Sequence, residues 1–261
     1  MARAIAVDWS GAADGGRSRI WIAEALDGAL LSLEGGRTRA EAIARVCERR
    51  AEVDRCVAGF DFSFSLPAWF LDRHGCTSVE QAWELVAARG EEWLAGCPPP
   101  FWGRPGRRRG DEAQLRACEQ GLSVAGIVPK SVFQIGGAGA VGTGTLRGIP
   151  HLPALRQAGW AIWPYDRPGD HVVAEIWTRL LTGPVAKSVP SARRAWLREH
   201  ASLRGRLLRD AGDSEDAFDA AACAIVLSRS ADLDAALRRR PPGDPREGAM
   251  LIPADAPGAP S

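Results

Sequence analysis

Acidic residues stand in this chain where an apolar pattern should continue. In "ARAIAVD" (2–8) side chains alternate, so Ala4, Ala6 and Asp8 share one face of a strand that Asp8 ends. In "RCVAGFDF" (55–62), Val57, Gly59 and Asp61 share a face, and in "HVVAEIW" (171–177) Val173 and Glu175 do. A single acid at a strand end also reads as an ordinary turn or cap residue. Taken together, the three acids mark the carboxyl edge of a sheet, where open α/β sheets bind ligands. The fourth segment, "DSEDAFDAAACAIVL" (213–227), reads as a helix with Asp213 as its N-cap. Acids in a first turn complement the helix dipole, which accounts for Asp213 and Glu215 and also covers Asp216. Asp219 lies beyond that turn. Residues Asp216, Asp219, Cys223 and Val226 form one stripe at helical spacing, so both aspartates extend a buried face.

Carboxylates in such places must be paired, protonated or bound to metal. Four or five converging on one edge suit Mg²⁺ or Mn²⁺, which take oxygen ligands and keep several waters. Two such ions about 4 Å apart can activate water and stabilise the leaving oxygen of a phosphodiester. Without metal, mutual repulsion should raise some of the carboxyl pKa values.

The elements that must position these acids follow from periodicity. Strands are expected at 2–8, 19–26 and 30–34 as an antiparallel meander, then at 55–62, 131–135, 160–166 and 171–177. Helices are expected from a Thr38 cap through Arg50, and at 67–73, 78–95, 111–120, 152–159, about 190–210, 214–229 and 231–238. The expected fold class is α/β: one mixed sheet, an antiparallel meander plus parallel strands, with helices on both faces. A single domain over 1–252 would carry a Pro/Gly/Arg-rich insertion at about 97–150, and 253–261 reads as a disordered tail.

Composition sets the outer bounds. The 261 residues are 46% hydrophobic, enough for a substantial core, and a net charge of +1 favours no class of partner in bulk. The cations are almost all arginine; Lys130 and Lys187 are the two lysines. The six cysteines show no metal or disulfide spacing, and the chain lacks a long uncharged apolar run or a leader pattern. A soluble cytoplasmic protein with reduced thiols and no membrane partner is the expectation.

The blocks "AVDWSGA", "GFDFSFSLP", "AEIW" and "EDAFDAAACAIVL", in this order, resemble the signature blocks of the predicted ribonuclease-H-like nucleases grouped as domain of unknown function 429. The order of acids is also similar to that of bacterial Holliday-junction resolvases. The resemblance spans about residues 2–229. It implies a ribonuclease H-like fold with Asp8, Asp61, Asp216 and Asp219 as metal ligands. Glu175 would either position water or a ligand, or serve as a structural strand end. The implied activity is metal-dependent hydrolysis of nucleic acid, DNA or RNA. The "WSGA" after Asp8 is also similar to the phosphate-binding turn of actin-like ATPases and sugar kinases, so nucleotide-dependent phosphotransfer and a non-catalytic binding role stay as alternatives.

Other motifs compete for attention. "FWGRPGRRRG" (101–110) offers Trp102 to stack a base and Arg104, Arg107, Arg108 and Arg109 to grip a phosphate backbone, unless it is a solvated loop. Residues 137–142 spell G-x-G-x-x-G, and Asp166 follows at a distance that suits a dinucleotide fold. The helix that motif needs would start with Gly144, Gly148 and Pro150 in its first turns, which argues against it. His171 shares the face of Glu175 and is a candidate proton carrier or a plain strand-start histidine.

Overall fold

The structure, a computed structural model, describes residues 3–201 and 205–260. Its centre is one six-stranded mixed sheet. The strands are β1 (Arg3–Asp8), β2 (Trp21–Leu26), β3 (Ala29–Gly35), β4 (Cys56–Phe60), β5 (Ala161–Trp163) and β6 (His171–Glu175). Their order across the sheet is β3-β2-β1-β4-β6-β5. Strands β1, β2 and β3 form an antiparallel meander; β4 runs parallel to β1, β6 to β4 and β5 to β6.

Helices cover both faces. They are α1 (Arg39–Glu52), α2 (Ala68–Arg73), α3 (Val79–Gly96), α4 (Val141–Gly148), α5 (Leu152–Gln157), α6 (Thr178–Thr182), α7 (Pro190–His200), α8 (Gly205–Asp213), α9 (Glu215–Arg229) and α10 (Leu233–Arg238). Helix α1 starts where its sequence says. Thr38 accepts the Glu41 N–H and the Glu41 carboxylate returns the bond to the Thr38 N–H, a reciprocal cap. Its Ala42, Ile43 and Val46 belong to the same buried core as Ile5, Val7 and Phe60 of the sheet and Trp83, Val86 and Trp93 of α3.

The other face is built from small residues. Ala4, Ala6, Ala23, Ala25, Val57 and Ala174 line it, and α9 lies against them. Residues Ala217 to Ser228 of α9 are all buried, as its near-continuous apolar sequence requires. At the contact, a Cβ on Gly59 would come within 2.8 Å of Ile176 and 3.1 Å of Leu227. Short side chains thus let α9 approach the sheet closely.

The structure departs from the sequence reading in several elements. Residues 131–135 form turns with one bridge, Trp102 to Gln134, and no strand. Residues 111–120 hold one 3₁₀ turn at Ala117–Glu119. The long basic helix ends at His200 and a separate α8 starts at Gly205; residues 202–204 of that expected helix lie outside the described residues. The end of the chain, expected as a loose tail, is docked: Ala256 is buried and the Gly258 N–H donates to the Leu180 carbonyl at 2.8 Å. No described helix is long and apolar enough to cross a membrane.

Filling the space at Gly59 must push α9 from the sheet. Gly59→Val is expected to cost about 1–3 kcal/mol of stability by overpacking, read as a lower urea midpoint.

Candidate functional site

Two strands bring the first two acids together. Val7 lies opposite Phe60 in the parallel β1–β4 pair, and the Asp61 N–H donates to the Val7 carbonyl at 3.1 Å. Asp8 and Asp61 therefore stand side by side on the α9 face. Helix α9 supplies the next two. Its N-cap is Ser214, whose hydroxyl accepts the Ala217 N–H at 2.9 Å, and not Asp213 as expected. Asp213 instead ends α8 and pairs with Arg194. The shift by one residue leaves Asp216 in the first turn and Asp219 one turn on, at 8% exposure.

Asp8, Asp61 and Asp216 line a cleft of about 710 Å³. Its other walls include the Trp9–Ala13 turn after β1, Phe62 and Ser63 after β4, Glu175 at the end of β6 with Ile176–Thr178 beyond it, and the amino end of α4. Arg19, Lys130 and Arg147 add positive charge to it. The turn and α4 touch so tightly that a Cβ on Gly11 would lie 2.3 Å from the Gly144 backbone nitrogen. Glycine is needed there for space alone.

Electrostatics mark the acids as a group. Burial pushes the Asp8 carboxyl well above its usual range, and repulsion from Asp219, Asp61 and Asp216 pushes it further, against the pull of Lys187. Asp61 is pushed up to about 7, first by burial and then by Asp219, while Lys187 and the Thr178 N–H oppose the rise. Burial also raises Asp216 and Asp219. Asp219 Oδ1 is buried and has no hydrogen-bond partner among the described residues.

Lys187, to which the sequence reading assigned no role, sits in this cluster. Its Nζ donates to Asp219 Oδ2 at 2.5 Å and to Thr178 Oγ1 at 3.0 Å. Lys187 and Lys130, the two lysines of an arginine-dominated chain, both border the site. That bias was the available signal. Thr178, Arg19 and Arg116 carried none, because nothing in their local sequence fixes what they face.

Glu175 has different company. It is paired in register with Phe60, and both point to the α1/α3 side of the sheet, away from α9. Its Oε2 accepts the Phe64 N–H at 3.0 Å and the Arg116 guanidinium at 2.8 Å; Arg116 holds Oε1 as well. Arg116 is fully buried and also binds Glu119 at 2.7 Å. The two carboxylates keep its pKa well above the ordinary value despite burial. Glu175 thus anchors the "SFS" segment after β4. It still adds to the field on Asp61.

The remaining candidates fall elsewhere. Trp102 is half-buried, with Nε1 donating to Gln114 Oε1 at 2.8 Å, and Arg104 donates to the Ala95 carbonyl. Arg107, Arg108 and Arg109 are exposed and, like these two, are not among the cleft residues. The loop does meet the cleft wall through the Gly103–Gly136 backbone contact. His171 lies at the opposite end of β6 from Glu175, with Nε2 2.8 Å from the Val53 carbonyl. The G-x-G-x-x-G segment does open a helix, α4, despite its glycines: a Cβ on Gly142 would lie 2.2 Å from the Val132 carbonyl. No sheet strand precedes it, and Asp166 is spent on Arg156 and the Ile162 N–H, so the dinucleotide arrangement is absent.

Among the described residues no group of three or more His, Cys, Asp or Glu side chains stands as a ready metal-holding set. The donor chemistry nevertheless fits a hard divalent cation. Three aspartates open on the cleft and repel one another. No protein-family model, curated protein or solved structure matches the chain.

Two outcomes follow. Because the folded Asp61 titrates near 7 against an ordinary 3.8, the fold holds that proton more tightly than the unfolded chain does. Its stabilising contribution is complete below about pH 4 and lost as pH rises through about 7. Carboxyls shifted down, such as Glu41 to about 2, act below that window. In metal-free buffer the thermal midpoint should therefore fall between pH 4.5 and pH 8, and Asp61→Asn should flatten that fall. Arg116→Met should cost about 3–5 kcal/mol in chemical denaturation, since it strands two buried carboxylates.

Proposed function

We propose that the protein is a divalent-metal-dependent phosphodiesterase acting on nucleic acid, with a ribonuclease H-like core and Mg²⁺ or Mn²⁺ as its cofactor. The observation that carries this reading is the convergence of Asp8, Asp61 and Asp216 from β1, β4 and α9 on one cleft at the carboxyl edge of the sheet. The meander followed by strands parallel to β1 is the kind of sheet that the resemblance to the ribonuclease-H-like nucleases implies, and it supports that kinship.

Asp8, Asp61 and Asp216 would hold the metal, with Asp219 beside them. Bound there, a divalent ion supplies an activated water and charge stabilisation for the leaving oxygen. The chain's own groups do the rest. Arg19 and Lys130, exposed at the cleft, attract the phosphodiester and offset its charge. Arg147 is tied to Glu91 and to the Gly11 carbonyl, so it braces the turn after β1. Glu175, through the Phe64 N–H, holds Ser63 at the cleft floor. The exposed Arg107–Arg109 run would contact nucleic acid outside the cleft.

A second reading, nucleotide-dependent phosphotransfer, draws on the glycine turn after Asp8 and the amino end of α4 in the same cleft. Calorimetric titration with ATP separates it: saturable binding favours this reading over the first.

Asp8→Asn is expected to lower Mn²⁺-dependent cleavage of labelled DNA and RNA oligonucleotides at least about 100-fold, with circular dichroism unchanged. Cleavage at the wild-type rate in that variant would falsify the assignment.

A further inference from the structure

We infer that Lys187 is a resident cation of the carboxylate cluster, so that the chain takes one divalent ion, at Asp8, Asp61 and Asp216, rather than two. The inference rests on the metal-dependent reading above and fixes how that site is composed.

Asp219 is not free to serve as a second ligand set. Its Oδ2 is held by the Lys187 ammonium at 2.5 Å, and its Oδ1 is closed off from solvent. Both side chains of the pair are only 12% exposed, unlike a mobile surface ion pair. A dication placed against Asp219 would meet a fixed ammonium at close range, with twice the repulsion that a unit charge feels. It would have to expel Lys187 to bind.

The fold resists that expulsion. The buried Arg193 guanidinium reaches three carbonyls: Lys187 itself, Gly212 at 3.1 Å and Asp213 at 3.0 Å. It ties the segment carrying Lys187 to the turn just before α9. Thr178 adds a second tie, since its hydroxyl takes the ammonium while its N–H supports Asp61. The ammonium is therefore set between the acids of β4 and of α9 by two independent contacts. An ammonium is also the apt cation, compact and of single charge, in a chain whose only other lysine is Lys130 and whose remaining basic side chains are forked arginines or histidines. Lys187 acts through Asp219, as a positioning residue.

Counting bound Mn²⁺ on the full chain tests this, by calorimetry together with the electron paramagnetic resonance signal of free Mn²⁺. One ion per chain is expected for the wild type and for Lys187→Arg, and two for Lys187→Met, in which Asp219 is released. Two ions on the wild type would overturn the inference and leave the metal-dependent reading standing. One ion on a folded Lys187→Met would also overturn it, by reducing Lys187 to a structural partner. No bound ion on the wild type would overturn the metal-dependent reading itself. The wild-type count decides even if Lys187→Met does not fold.

Discussion

The contact on which the rest of the structure depends is the close approach of α9 to the alanine-lined face of the sheet. Ala4, Ala6, Ala23, Ala25 and Gly59 leave little side-chain bulk between helix and strands. Where a core of leucines would hold a helix farther out, this one brings α9 near enough for its first turns to join the strand ends. Asp216 and Asp219 then fall beside Asp8 and Asp61 without any long side chain having to reach. The cost is electrostatic: four carboxylates share a poorly solvated space, and the burial that seats α9 also raises their pKa values. Packing energy from the apolar part of α9 is what holds the polar end in so unfavourable a place.

The opposite face works by a different rule. There the side chains are large, and the buried charged groups are paired with one another. Arg116 binds Glu119 and Glu175, and Glu247 takes the Ala68 and Ala117 N–H groups. These bonds tie the long 97–150 segment to the sheet, although that segment adds no strand to it. One face of the sheet therefore carries carboxylates that repel one another and the other carboxylates paired with Arg116, and both meet at the end of β4.

Much of this was legible in the sequence because it rests on short-range periodicity. Alternation in "ARAIAVD" and "RCVAGFDF" places Asp8 and Asp61 on one face, and helical spacing places Asp216 and Asp219 on one stripe. The same alternation put Glu175 with Val173, but which face that was depends on strand register, a long-range fact; the structure puts it opposite α9. The α4 helix was missed because its glycines look like helix breakers, whereas Gly142 is demanded by the Val132 carbonyl and Gly148 by the Phe62 ring. "SVFQI" has the composition of a strand but no neighbour to pair with beyond one bridge. Arg116 was invisible as a site residue, and Lys187 was marked only by the scarcity of lysine, because both come from irregular segments, whose aim is set by tertiary contacts such as the Arg193 clasp.

The docked end of the chain bears on when this site exists. Thr178 opens α6, and the far side of α6 is closed by the tail: Gly258 bonds the Leu180 carbonyl, and Pro257 packs against Gly183. The acids and the ammonium come from positions 8, 61, 187, 216 and 219, and the helix that braces them is completed by residue 258. During synthesis the meander emerges before α9 and can pair locally, while the carboxylate cluster has no α9 to meet until Glu215–Arg229 have been made. The nascent protein thus holds Asp8 and Asp61 apart from their partners until α9 has emerged, and chemistry at that edge is deferred until the segment through residue 258 can close α6.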